Sequence, residues 1–199
     1  MEILIATNNQ HKIKEYQEIF NQFNIKVLSL KDLGIVCDPE ETGETFEENS
    51  LIKARECAKY TDKIILADDS GLIINQIPDI LGVKSSRFLG EDTPYEIKRK
   101  EVIKRLEGKD RKASFVCCIT ILNMEKEPLV FKGECFGRIS EKEEGNQGFG
   151  YDPIFIPDSY EKTFASLGDE VKNKISHRGI ASSKLVEYLK EKFYEDFAN

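Results

Sequence analysis

Ile3-Leu4-Ile5-Ala6-Thr7-Asn8-Asn9-Gln10-His11-Lys12 runs from an apolar stretch through a polar turn into a helical pattern. Ile3 to Ala6 reads as a buried strand and Thr7-Asn8-Asn9 as the turn. The helix runs from about Gln10 to Asn21, with Ile13, Tyr16, Gln17 and Phe20 at helical spacing. A second short strand, Lys26 to Leu28, follows. Strand, helix and strand in this order point to an α/β fold. An irregular acidic segment, Asp38-Pro39-Glu40-Glu41-Thr42-Gly43, then leads to Thr45, which with Glu48 forms a capping box and opens a helix to about Lys59.

Further along, Ile64 to Ala67 predicts another buried strand. It ends in Asp68-Asp69-Ser70-Gly71, which places the acidic pair at a strand end or hairpin corner before Leu72-Ile73-Ile74 resumes. Thr93-Pro94-Tyr95-Glu96 predicts a second capping box with proline at the first helical position, and Gly108 closes that helix. Ala113 to Leu122 and Leu129 to Ile139 flank a polar turn and read as a long hairpin. The tail from Ile180 to Phe193 is an amphipathic helix with Leu185, Leu189 and Phe193 along one side. Antiparallel strands thus join a parallel start. The expectation is a single domain over residues 1–199, an α/β fold on a central twisted mixed sheet flanked by helices, in two lobes around a cleft.

The composition suits such a fold. The 199 residues are 40% hydrophobic and 33% charged, enough for one well-buried core. Acidic residues outnumber basic ones, 36 to 29, for a net charge of -7, which lacks the basic footprint of a nucleic-acid binder. Five cysteines, Cys37, Cys57, Cys117, Cys118 and Cys135, show no Cys-x-x-Cys spacing and read as reduced cytoplasmic thiols. Cys117 and Cys118 would point to opposite faces of a strand, so that at most one faces the core. The amino-terminal run reads as a strand rather than a signal peptide, and no apolar stretch is long enough to span a bilayer.

Three groups of residues carry chemistry. Thr7, Asn8, Asn9, Gln10, His11 and Lys12 lie at a strand-to-helix junction, where amide N–H groups, the helix dipole and the Lys12 charge suit a polyphosphate; plain helix capping by asparagine is the other reading. Asp68 and Asp69, with Glu41 on its own loop, offer hard oxygen ligands for Mg²⁺, or else are turn residues; of the pair, Asp69 beside Ser70 is the better ligand or base. The third group is Gly148-Phe149-Gly150-Tyr151-Asp152-Pro153-Ile154-Phe155. The Phe149 ring between two glycines suits a flat base, with Asp152, His177 and Arg178 able to read its edge, although a glycine-rich turn entering a buried strand fits the same letters.

These blocks together resemble the inosine triphosphate pyrophosphatase family. The resemblance rests on Thr7-x-Asn9-x-x-Lys12, Glu40-Glu41-Thr42-Gly43-x-Thr45-Phe46-x-Glu48-Asn49, Lys53-Ala54-Arg55, Ala67-Asp68-Asp69-Ser70-Gly71, the Gly148 to Phe155 block and Ser176-His177-Arg178-Gly179, all in family order. It implies cleavage of ITP, dITP or XTP between the α and β phosphates to the monophosphate and pyrophosphate. It also implies Mg²⁺ as cofactor, a site in the cleft between two lobes, a small-molecule nucleotide as substrate and a homodimer, with no nucleic-acid or membrane partner.

Carried over position by position, Thr7 to Lys12 and Lys53 hold the triphosphate, and Glu41 and Asp69 hold the metal. Asp69 is also the proton acceptor for the attacking water, and Ser70 touches substrate. Phe149 stacks on the base within the Gly150-Tyr151-Asp152 segment, and Asp152, Lys172, His177 and Arg178 surround it. Leu81 and Lys84 depart from the family pattern, which leaves Arg87 the least secure contact. The competing expectation is a purine-nucleotide-binding regulatory module that does not hydrolyse its ligand.

Overall fold

The computed structural model describes residues 1–197. In chain order it holds strand β1 (Glu2–Ile5), helix α1 (Gln10–Asn21), β2 (Lys26–Ser29), α2 (Phe46–Ala58), β3 (Ile65–Ile74), α3 (Tyr95–Arg105), β4 (Lys112–Leu122), β5 (Leu129–Ile139) and β6 (Phe155–Pro157). Helices α4 (Phe164–Leu167), α5 (Asp169–Ile175), α6 (His177–Lys192) and α7 (Tyr194–Phe197) complete it. The strands lie in the order β2-β1-β3-β4-β5-β6. β1 runs parallel to β2 and β3, and β5 runs antiparallel to β6, so the sheet is mixed, as the sequence implies.

The chain forms two compact units. One comprises Met1–Asp69, Cys117–Gly133 and the chain from Arg178 onward; the other comprises Ser70–Val116 and Glu134–His177. In the first unit the sheet is covered on both faces. Ile3, Ile5, Leu66, Cys117 and Ile119 pack with Tyr16 and Phe20 of α1 and with Ala181, Leu185 and Leu189 of α6. Leu4, Ala6, Ile65 and Ala67 point the other way and pack with Ala54 and Cys57 of α2. Alternate residues of a strand face opposite sides, so a strand covered on both reads as an unbroken apolar run, as Ile3-Leu4-Ile5 does. Each such Leu or Ile side chain contributes about 1.5–3 kcal/mol on burial. The second unit has its own core of Leu72, Ile74, Val102, Phe115, Phe155 and Phe164, in which the Phe115 and Phe155 rings lie 4.6 Å apart.

Several local expectations need correction. β3 is one continuous strand, so Asp68 and Asp69 stand within it rather than at a corner. Each carboxylate meets its own cations or amide donors, and the strand has no reason to stop at the charges. Cys117 and Cys118 are both buried, because the sheet has a covered surface on either side. On α1, Gln17 is exposed while Glu15 and Ile19 are buried. The box at Thr93 does not form: Pro94 takes the cap position, and the Thr93 hydroxyl donates to Leu89 O at 2.5 Å. The last long helix begins at His177, not Ile180.

Candidate active site

The turn after β1 carries Thr7 to Lys12, the residues expected to meet phosphate. Asn9 is the N-cap of α1, its Oδ1 accepting from His11 N at 3.0 Å and Lys12 N at 3.4 Å, and Asn9 N donates to Thr7 Oγ1 at 3.1 Å. Asn8 Nδ2 donates to the Cys37 carbonyl at 3.0 Å, tying the turn to the segment that leads to Glu41. Asn8, Asn9, Gln10 and His11 are exposed. Capping and anion binding are compatible here, since a helix N-terminus has four amides without helical acceptors.

Within the first turn of α1, Lys12 leans onto β3, and its Nζ donates to Asp68 Oδ1 at 2.7 Å. The other Asp68 oxygen accepts from Tyr16 Oη at 2.9 Å and from Arg178 Nε at 3.0 Å, and Arg178 Nη1 reaches Glu15 Oε2 at 2.5 Å. Burial alone would raise the Asp68 carboxyl, but Lys12, Arg178 and Lys53 outweigh it and hold the group well below the usual carboxylate range. Burial likewise opposes the Arg178 charge, and Asp68 and Glu15 more than restore it. The Tyr16 phenol, by contrast, is pushed up by burial and by the Asp68 charge, so it stays a donor. Asp68 therefore acts as the shared counter-ion of Lys12 and Arg178.

Asp69 faces the other side of β3, toward α2. Asn49 Nδ2 donates to its Oδ2 at 3.1 Å. Lys53 Nζ lies 2.7 Å from Glu41 Oε1 and 3.9 Å from Asp69 Oδ1, so one ammonium sits between the two carboxylates. Burial raises the Asp69 carboxyl to about 6; Lys53 opposes the rise and Glu41 reinforces it. For Lys53, burial acts downward and the charges of Asp68, Asp69 and Glu41 outweigh it, leaving the ammonium more firmly protonated. Among the described residues no three His, Cys, Asp or Glu side chains gather to hold a metal by themselves. Mg²⁺ commonly takes one or two carboxylates and completes its shell with water and substrate phosphates. Glu41 and Asp69 are two carboxylates of the kind such a shell needs, and the position of Lys53 marks the space between them as one that favours positive charge.

The second unit holds the aromatic platform. Gly148 and Gly150 have φ of +73° and +62°, a conformation that glycine adopts without strain, and a Cβ at 148 would run into the Asp152 carboxylate. That carboxylate accepts from Phe149 N at 2.9 Å and from Lys172 Nζ at 2.7 Å, and the Lys172 ammonium lies 4.6 Å from the centre of the Phe149 ring. Tyr151 is buried, its hydroxyl donating to Ser85 O at 2.7 Å, while Arg99 Nη1 donates to Gly150 O at 2.8 Å. His177 is buried and stacked on Phe115, centroids 4.7 Å apart. Ser70 opens this unit and is half-buried. The structure thus groups Lys12, Glu41, Lys53, Asp69 and Arg178 in one unit and Phe149 to Asp152, Lys172 and His177 in the other. Arg87 and Lys84 are exposed, and Arg87 Nη2 contacts Val83 O at 3.5 Å.

The Ham1 family model matches residues 3–188. The chain belongs to the Ham1 family. It is 44% identical over 196 residues to a dITP/XTP pyrophosphatase of Clostridium perfringens, covering 94% of this chain and 96% of that protein. A dITP/XTP pyrophosphatase of Bacillus anthracis is 41% identical over 197 residues, covering 96% and 98%. Among solved structures, a HAM1 protein of Coxiella burnetii superposes with a TM-score of 0.85 at 41% identity, over 96% of this chain and 99% of the other. The Ham1 protein of Staphylococcus aureus gives 0.84 at 39% identity, over 96% and 100%. The resemblance read from the collinear motifs is borne out at the level of family and fold.

For this Ham1 chain, sequence reading did not anticipate Glu15 and Tyr16. The signal was present: they follow Lys12 at i+3 and i+4 and so share its helix face, and a carboxylate beside Ile13, Tyr16 and Ile19 on a buried face needs a cation. Asn49 appeared only as a letter of a motif, and nothing local to α2 indicates that its amide turns toward Asp69.

Proposed function

We propose that this Ham1 protein hydrolyses the triphosphates of deaminated purines, dITP, XTP and ITP, to the nucleoside monophosphate and pyrophosphate. The observation that carries the reading is the near-full-length likeness to proteins named dITP/XTP pyrophosphatase. The side chains support a consistent division of labour. Thr7 to Lys12 and Lys53 hold the phosphates, and Glu41 and Asp69 hold Mg²⁺. A divalent ion held there would supply positive charge to offset the charge that develops on the phosphate oxygens. Asp69 accepts a proton from the attacking water, whose oxygen bonds to phosphorus as the α–β bridge breaks. Burial makes this carboxyl a better proton acceptor than a solvated one. Displacement at phosphorus needs positioning and charge neutralisation more than covalent help.

Phe149 supplies a face for the base, held at its edge by Asp152, Lys172, His177 and Arg178, with Ser70 as a further contact. Donors from His177 and Arg178 favour an oxygen at position six, because the adenine amino group would leave them unpaired. The reading extends to a homodimer in the cytoplasm. Support for the location is that all five cysteines are free and buried, as a reducing compartment leaves them. No described helix is long and apolar enough to cross a membrane.

Incubation with dITP, XTP, ATP and GTP, with pyrophosphate and monophosphate detected separately, tests the activity. Turnover of dITP and XTP well above ATP is expected. Failure with every nucleotide would overturn the reading, and a melting-temperature rise without product would favour a non-hydrolytic binding module. Sedimentation at micromolar concentration tests the dimer.

A further inference from the structure

One buried side chain that the proposed mechanism does not use touches both carboxylate-bearing segments. Asn49 lies on the first turn of α2 and has no solvent exposure. Its Oδ1 accepts from Gly43 N at 2.7 Å, and its Nδ2 donates to Gly43 O at 3.4 Å and to Asp69 Oδ2 at 3.1 Å. The orientation of the amide follows from chemistry. The Gly43 N–H can only donate, so the atom facing it is the oxygen, which turns the NH₂ group toward the Asp69 carboxylate; the flipped amide would set oxygen against oxygen. The loop can come this close only because residue 43 has no side chain: a Cβ there would lie 2.6 Å from Asn49 Oδ1 and 2.7 Å from Glu48 Cβ. Gly43 is two positions from Glu41. The same segment is tied at its helix entry, where Glu48 N donates to Thr45 Oγ1 at 3.1 Å and Glu44 N donates to Glu48 Oε2 at 2.7 Å.

We propose that Asn49 is a positioning residue: its single amide clamps the Glu41 loop and the Asp69 carboxylate together, and so sets the spacing at which the two carboxylates receive a divalent cation. With Oδ2 of Asp69 engaged by Asn49, Oδ1 is the oxygen on the side of Lys53 and Glu41. Groups that orient a ligand in this way commonly change metal affinity or activity by about 10–100-fold when removed. The inference rests on the proposed pyrophosphatase reading and on Glu41 and Asp69 as the metal-holding pair.

The test is Mn²⁺ binding, followed by electron paramagnetic resonance in the presence of a dITP analogue with an imido α–β bridge, alongside dITP turnover. Wild type should bind Mn²⁺ and cleave dITP; if it does neither, the functional reading fails and this inference with it. Asn49→Ala should weaken Mn²⁺ binding about 10–100-fold and lower kcat more than it raises KM for dITP. In an Asp69→Asn background the loss due to Asn49→Ala should shrink by about threefold or more, since contacting residues couple and a general loss of structure would not show that dependence. Mn²⁺ affinity within about threefold of wild type, or losses that simply add in the double variant, would overturn the proposal. Should Asn49→Ala fail to fold, Gly43→Ala strains the same clamp from the loop side; the same loss of Mn²⁺ affinity is expected, and an unchanged affinity overturns it.

Discussion

Arg178 and Asp68 are 110 positions apart in the chain, and Arg178 Nε donates to Asp68 Oδ2 at 3.0 Å with both side chains 1% exposed. Removing either partner strands a charge away from water. The same carboxylate receives Lys12 and Tyr16, so it organises a cation assigned to phosphate and a cation assigned to the base.

Asp68→Ala should therefore destabilise the protein by about 3–5 kcal/mol, the usual cost of breaking a buried pair from one side. Asp68→Asn should cost less, because an acceptor oxygen remains. The pH dependence has a definite sign. The folded carboxyl lies below its unfolded value, so its contribution is fully present above about pH 4 and is lost only on stronger acidification. Urea unfolding at about pH 5 and about pH 8 should give the same difference between wild type and Asp68→Ala. A difference that grows or vanishes across that range would show that another group is responsible.

Asp69→Asn should lower kcat for dITP by about 10²–10⁴-fold, the range for loss of a general base. Its fold should survive. A carboxyl raised by burial costs the folded state stability once it is ionised, so the neutral amide should leave the melting temperature at pH 7 unchanged or higher. Near-wild-type turnover would remove Asp69 from the mechanism.

In metal-free protein the Asp69 carboxyl should titrate near 6, as followed by carbon NMR with Asp69→Asn as the assignment control. Between about pH 4 and about pH 6 the folded chain binds a proton that the unfolded chain releases, so this group makes stability fall as pH rises through that window. Mg²⁺ binds the ionised form and should move the titration downward. A titration at the ordinary carboxylate value in metal-free protein would refute the burial argument.

Phe149→Ala should lower kcat/KM for dITP by about 5- to 160-fold, since an aromatic–base stack is worth about 1–3 kcal/mol. Gly148→Ala should act in the same direction without removing the ring, because its Cβ would collide with the carboxylate that holds Phe149 N. Equal kinetics for Gly148→Ala and wild type would mean that the platform tolerates a shifted Asp152.

The fold was legible where covalent periodicity decides it. Ile3-Leu4-Ile5, the Thr45 cap and the hairpin around residues 123–128 each specify a local conformation with little help from distant residues. Asp68-Asp69 misled for a physical reason. Two adjacent charges resemble a turn, and only long-range partners on α1, α2 and α6 make a strand interior tolerable for them. The candidate site residues stand out in the sequence as residue types in order, but their grouping does not. His177 and Arg178 are neighbours in the chain, yet the first stacks on Phe115 and the second is committed to Asp68 and Glu15. Such pairings depend on the packing of helices, which no local spacing encodes.

The alternation along β3 has a consequence for how such a chain can change over generations. Leu66 and Asp68 face α1 and α6, while Ala67 and Asp69 face α2. Gaining one codon just before Asp68 would present Asp68 to Asn49 and carry Asp69 past it, whereas losing one would present Asp69 to Arg178 and turn Asp68 toward α2; either change leaves the composition almost untouched. A change of two codons would restore the facing but carry each carboxylate about 6–7 Å along the strand from its partners. Length variation just before Asp68 should therefore be selected against whatever its parity, because odd steps change the face and even steps leave the partners behind.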